Sequence, residues 1–190
     1  HGLGVLGPQG RGTLAAQGVA PASVHIHMGT FGKALGVAGA FVGGSRELVD
    51  YLVNFARHYV YSTHMPAAQA CAVSKSIELV RAADEARAHL VRLIARFRQG
   101  AQAQGWTLVA SNTPIQPLLV GESSAALQLA ERLRERGVWV SAIRPPTVPV
   151  GTARLRITLC DAHGEDDVDR LLEALGPCPS NDQRGGAHAA

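Results

Sequence analysis

Cysteine is scarce in these 190 residues, and the three present, Cys71, Cys160 and Cys178, are odd in number, far apart and in no C-x-x-C pair. That spacing argues against a disulfide framework and a thiolate zinc site, and it fits a reducing, cytoplasmic setting. Long apolar runs are missing too. The longest uncharged one, residues 34–42, is about half of the ~20 residues that a spanning helix needs, and no charged segment with a cleavage site opens the chain. Neither a membrane span nor a signal peptide is expected. Charged residues are only 17% of the chain, the net charge is +3, and the basic side chains are spread over 87–98 and 132–136 without interleaved aromatics. Nucleic-acid binding is therefore not expected. What is present is 46% hydrophobic, enough to fold around a sizeable core.

Glycine patterns suggest two phosphate-binding motifs, and both are weak. Residues 2–7 (GLGVLG) satisfy G-x-G-x-x-G, so a dinucleotide-binding module is an alternative reading. That fingerprint needs a preceding strand and an acid about 20 residues on, yet the first acidic residue is Glu47. A G-x-x-x-x-G-K-[ST] loop fails twice around Lys33, where position 27 is His27 and Ala34 follows the lysine. His25 and His27 alternate with apolar neighbours and, with His1, invite comparison with a metal site. No third ligand has a recognisable spacing, so two histidines on the polar face of a strand is the preferred reading and no metal is expected.

The stretch 29–41 (GTFGKALGVAGAF) sets Lys33 among small residues just after the apolar run 24–28. Small neighbours let backbone approach a flat ligand, and an apolar wall would favour the neutral, nucleophilic amine, which forms Schiff bases. The plainer alternative is a solvated loop charge.

Four blocks in order carry a resemblance: 1–12 (HGLGVLGPQGRG), the lysine segment, 61–66 (YSTHMP) and 143–159 (IRPPTVPVGTARLRITL). Together they resemble the α-oxoamine synthases, pyridoxal 5'-phosphate (PLP) enzymes of the aspartate-aminotransferase fold, over roughly residues 1–176. The last block is most similar to members that condense L-alanine with pimeloyl-CoA or its carrier-protein form, releasing coenzyme A and carbon dioxide. Siblings that use glycine or serine with another acyl-CoA are the alternative. The resemblance implies that Lys33 carries PLP as an internal aldimine and is general base and acid. It places His1 beside the cofactor's phenolic oxygen, Thr30 on the cofactor, Ser62 and Thr63 on its phosphate across a homodimer interface, and Thr147 on the substrate. Ser62 and Thr63 as caps of the next helix remain the plain alternative. A substrate carboxylate calls for a bidentate guanidinium. Alternation puts Arg154 and Arg156 on one strand face. Only the family pattern selects Arg156, and Arg144 is the alternative anion binder. Family members carry Asp-Glu-Ala-His where this chain begins with His1, which implies the C-terminal half of a longer enzyme, inactive alone.

Patterning predicts an α/β chain with a domain boundary near residues 82–85 and a disordered tail over 177–190. The resemblance implies that residues 1–83 are the end of a fold type I large PLP-binding domain and 84–176 a small α/β domain. Strands are expected over 24–28, 40–43, 107–110, 115–120, 138–143 and 153–159. Helices are expected over 45–57 with Ser45 as N-cap, and over 67–81, 84–104, 124–136 and 165–175.

Overall fold

A computed structural model describes residues 1–179 of the chain. In chain order it contains α1 (Thr13–Ala16), β1 (Ile26–Thr30), β2 (Ala40–Gly44), α2 (Arg46–Phe55), α3 (Arg57–Val60), α4 (Ala67–Ala82), α5 (Asp84–Ala103), β3 (Thr107–Leu108), β4 (Ile115–Gly121), α6 (Ser123–Glu135), β5 (Ser141–Ile143), β6 (Ala153–Thr158) and α7 (Glu165–Leu175). The chain thus mixes helix and sheet, in two compact units, His1–Arg87 and a second that begins at Ala88. Residues 180–190, most of the expected tail, lie outside the described residues.

In the first unit β1 and β2 pair antiparallel, with His27 opposite Gly43 and Met28 opposite Val42. The outward face of this two-stranded sheet is apolar: Ile26, Met28 and Val42 are 60%, 71% and 47% exposed. That reverses the polar-face reading of the two histidines. His25 lies just outside β1 and is exposed, while His27 is partly buried, its Nε2 shut from solvent without a hydrogen-bond partner. Ser45 caps α2 as expected, its hydroxyl accepting from Leu48 N at 3.3 Å.

The second unit is built on the antiparallel order β3-β4-β6-β5. Ala153, Leu155 and Ile157 of β6 alternate inward and meet the periodic apolar stripe Leu93, Ile94, Phe97 and Ala101 of α5, with Leu129 and Leu133 of α6 and Val168, Leu171 and Leu175 of α7. Period two in the strand and period 3.6 in the helices leave one core, with Phe97, Leu118 and Leu155 fully buried. Two strands are shorter than patterning predicts. Val138 N turns back to Leu133 O (2.9 Å), so only residues 141–143 pair with β6. Thr107 and Leu108 pair with β4, in register with Leu119 and Leu118, and Val109 N adds a single bond to Pro117 O (3.0 Å). Cys178 N donates to Gln104 O (2.8 Å) and Trp106 Nε1 to Gly176 O (2.8 Å), which straps the end of α7 to the end of α5.

Candidate active site

β1 and β2 are joined by the loop 31–39, which carries Lys33. Phe31 N donates to Gly39 O, Val37 N to Phe31 O and Gly36 N to Lys33 O, each at 2.9 Å, so the chain folds back on itself and the turn 33–36 forms its tip. The loop spends its large apolar side chains, Phe31 and Leu35, on a small core with Val73 of α4. Gly32, Lys33 and Ala34 are left exposed between them. The expected water-free wall around the amine is therefore not supplied by the apolar run 24–28, because Ile26 and Met28 form the open face of the β1–β2 sheet. Thr30, at the end of β1, accepts Gly32 N on Oγ1 (3.1 Å), which leaves its O–H free to donate.

The N-terminal loop docks on the same hairpin. A Cβ placed on Gly4 would lie 2.8 Å from Ala34 Cβ, and Leu3 packs on the Phe31–Leu35 cluster. His1 is thus the exposed start of a segment seated beside the lysine turn. The segment is pinned from the other side: Arg87 donates to Gly4 O (3.3 Å) and Val80 O (2.8 Å), and Asp84 Oδ1 accepts both Arg87 Nη2 (2.6 Å) and Gln9 N (3.0 Å). The Arg87 guanidinium, and then the Gln9 N–H, hold the Asp84 carboxyl below the usual carboxylate range. This geometry argues against a dinucleotide loop. Gly4, Val5, Leu6, Gly10 and Gly12 donate their N–H groups to carbonyls within residues 2–10, and α1 spans four residues. A pyrophosphate would find those donors already used.

Ser62 and Thr63 are exposed in the turn that follows α3. Neither caps α4, whose N-cap is Pro66. The Ser62 hydroxyl donates to His58 O, while Thr63 makes no hydrogen bond among the described residues. Lys33, Thr30 and Thr63 therefore provide one amine and two uncommitted hydroxyl donors in this unit, a set that suits a phosphorylated aldehyde such as PLP. A carboxylate for a pyridine nitrogen is not part of the hairpin, since residues 24–44 contain no Asp or Glu.

In the second unit, alternation along β6 places Arg154 and Arg156 on the face opposite the core, as periodicity predicts. Arg154 is spent locally, donating to Thr152 O (3.0 Å) and Thr152 Oγ1 (3.1 Å). Arg156 is exposed, sits between Pro117 and Ser141 in the sheet register, and its guanidinium makes no hydrogen bond or ion pair among the described residues. Thr147 and Arg144 occupy one exposed turn between β5 and β6, where Thr147 N donates to Arg144 O (3.0 Å). Among the described residues no group of three or more His, Cys, Asp or Glu side chains is placed to hold a metal ion.

Patterning passed over two polar residues that touch the lysine loop. Gln69 Nε2 donates to Ala38 O and Ser76 Oγ to Leu35 O, each at 2.6 Å. The legible signal was their spacing with Val73 and Val80, at steps of four, three and four along α4, which is one helix face.

The family model for aminotransferases of class I and II matches residues 1–175. An 8-amino-7-oxononanoate synthase of Aeromonas hydrophila is 88% identical over 190 residues, covering 100% of this chain and 48% of that protein. The crystal structure of an 8-amino-7-oxononanoate synthase from Francisella tularensis matches with TM-score 0.84 and 30% identity, over 92% of this chain and 51% of that one. A serine palmitoyltransferase from S. paucimobilis, solved with a bound PLP–myriocin aldimine, matches with TM-score 0.83 and 26% identity, over 92% of this chain and 44% of that one. The chain spans about half the length of the curated relatives it matches.

Proposed function

The chain belongs to the class I and II aminotransferase family, and from that membership we propose that it is the lysine-bearing part of a PLP-dependent acyltransferase that joins L-alanine to a pimeloyl thioester, with loss of coenzyme A and carbon dioxide. Bound PLP would supply the electron sink for ionising the amino acid at Cα. The chain's own residues would hold, orient and move protons. Lys33 Nζ would be the covalent attachment point of the group and, once released from it, the base at the amino acid's Cα, and it is exposed at the hairpin tip. Thr30 and Thr63 have hydroxyl protons free for phosphate oxygens, whereas the proton of Ser62 is already given to His58 O. In this reading Ser62 shapes the turn and becomes a donor only by giving up that bond. His1 offers an imidazole N–H to the cofactor's phenolic oxygen from a segment seated against Ala34. Arg156 is the free guanidinium on the open face of β6, able to grip a carboxylate through two parallel bonds, with Thr147 on the neighbouring turn as the second substrate contact.

The observation that carries this reading is the pair of lysines. The chain has only Lys33 and Lys75, and Lys75 is paired with Glu78 at 2.9 Å on α4. Lys33 alone stands free on a tight loop next to an uncommitted hydroxyl. We assign the active form as a homodimer, because the segment leading to Ser62 and Thr63 exposes Tyr51, Phe55, Tyr59 and Tyr61. Among the described residues no helix is long and apolar enough to cross a membrane; the few, widely spaced cysteines, odd in number, are what suits action in a reducing cytoplasm. The test is a substrate panel on the full-length enzyme. Coenzyme A release should be fastest with alanine and pimeloyl-CoA and fall by about 10³-fold or more in Lys33→Ala. Faster turnover with glycine or serine and another acyl-CoA would assign the chain to a sibling enzyme instead.

A further inference from the structure

On the reading of Lys33 as the cofactor lysine, we propose that Gln69 and Ser76 of α4 are positioning residues that fix the location of the Lys33 amine. The loop 31–39 is poorly suited to hold a reactive group by itself. It contains Gly32, Gly36 and Gly39, the last two at φ of 65° and 114°, and glycine gives an unfolded or mobile loop more backbone states than any other residue. Its internal bonds tie residue 31 to 37 and 39 and residue 33 to 36. The carbonyls of Leu35 and Ala38 enter no backbone bond, and these two are taken by Ser76 Oγ and Gln69 Nε2, both at 2.6 Å.

The two donors are seven residues apart, two turns of one helix face, and the buried Val73 lies between them against Phe31 and Leu35. Val80 extends the same face toward the N-terminal loop, where it lies near the positions that Cβ atoms on Gly4 and Gly10 would take. A rigid 16-residue helix therefore sets the lysine turn at two polar points and one apolar point, with the Ser76 anchor two residues beyond Lys33. The strand ladder fixes only the two ends of the loop. Since a reacting amine has to be held to within about half an ångström, the clamp and not the ladder decides where Lys33 sits.

The test uses the full-length enzyme and two readouts. The first is amide hydrogen exchange at Phe31, Gly36 and Val37, with the β1–β2 ladder amides as the control for folding. The second is the ratio of borohydride-fixed PLP on Lys33 to that on Lys75, mapped by peptide mass. Gln69→Glu keeps the side chain's size but removes its N–H donors, and Ser76→Ala removes the other. Each should lower loop protection several-fold to about tenfold, the effect of losing one hydrogen bond. Each should also lower the Lys33 preference several-fold, with ladder protection unchanged. Ser76→Thr, which keeps the hydroxyl, should retain both. Unchanged loop protection, or faster loop exchange with an unchanged Lys33 preference, overturns the positioning role. A wild-type full-length enzyme with no preference for Lys33 overturns the underlying reading of that lysine instead.

Discussion

Gly4 shows how closely the N-terminal segment and the lysine turn are fitted. Its φ of +84° is costly for any L side chain, and a Cβ there would sit 2.8 Å from Ala34 Cβ, an atom fixed directly to its backbone that cannot rotate away. Gly4→Ala should destabilise the first unit by about 2–3 kcal/mol. Gly18→Ala, at φ +66° with nothing within 4 Å, should cost only the conformational term of about 1 kcal/mol. Denaturant melts of the two variants check the difference, and equal losses would mean that the loop is not seated on Ala34. At the same scale, Arg156→Lys in the full-length enzyme should raise KM for the amino acid about tenfold with a smaller effect on kcat, since an ammonium cannot form the two parallel bonds of a guanidinium. An unchanged KM would move the carboxylate site to Arg144. Alternation along β6 made the shared face of Arg154 and Arg156 legible from sequence. That Arg154 is spent on Thr152 was not legible, because it depends on how the turn before β6 brings the Thr152 oxygens back onto the strand.

The elements were read well where one period ran long. α5 and α7 have the expected limits to within a residue because their apolar stripes are continuous and Gly176 ends the second. β5 was overread: residues 138–140 have strand-like composition, but Val138 N is claimed by the last turn of α6, a competition that composition does not show. The role of α4 was hidden for a related reason. Gln69 and Ser76 look like ordinary polar positions on a helix until the carbonyls they serve are known.

α5 and α7 are also joined by charge. Arg96 makes two bonds to Asp169 (2.7 and 2.6 Å) and one to Glu165 (2.9 Å). The Arg96 side chain holds the Asp169 carboxyl below its ordinary range. A carboxylate whose pKa is depressed in the folded state adds stability that is present above its unfolded pKa, about 3.9, and is lost as pH falls through the lower folded value. The second unit should therefore keep its melting temperature from pH 7 to about 5 and lose it below about 4. Arg96→Gln should make that acid limb shallower, as followed by the fluorescence of Trp106, which is buried in this unit. An unaltered acid limb would show that the pair is too well solvated to matter.

At the scale of the whole molecule, the resemblance of four blocks revealed more than periodicity did. Composition and pattern identified an α/β chain with one unusual lysine, while the cofactor and substrate class came from the order of the blocks. What the sequence misjudged was the surroundings of Lys33. The run 24–28 is apolar, but Ile26 and Met28 form an open sheet face instead of a lid over the amine. On the proposed reading, an exposed amine, an open apolar sheet face and a hairpin without a carboxylate make one side of a site. The 190-residue chain should accordingly show no alanine-dependent release of coenzyme A in an assay where the full-length enzyme turns over, and full activity from the chain would mean that it holds a complete site.

The central claim is that Lys33 is the cofactor's attachment point, and its most direct measurement is peptide mapping after PLP and borohydride treatment of the full-length enzyme. The account predicts one reduced phosphopyridoxyl group, on Lys33, with Lys75 unmodified. A tag on Lys75 or on a lysine outside these 190 residues, with Lys33 left free, would contradict it.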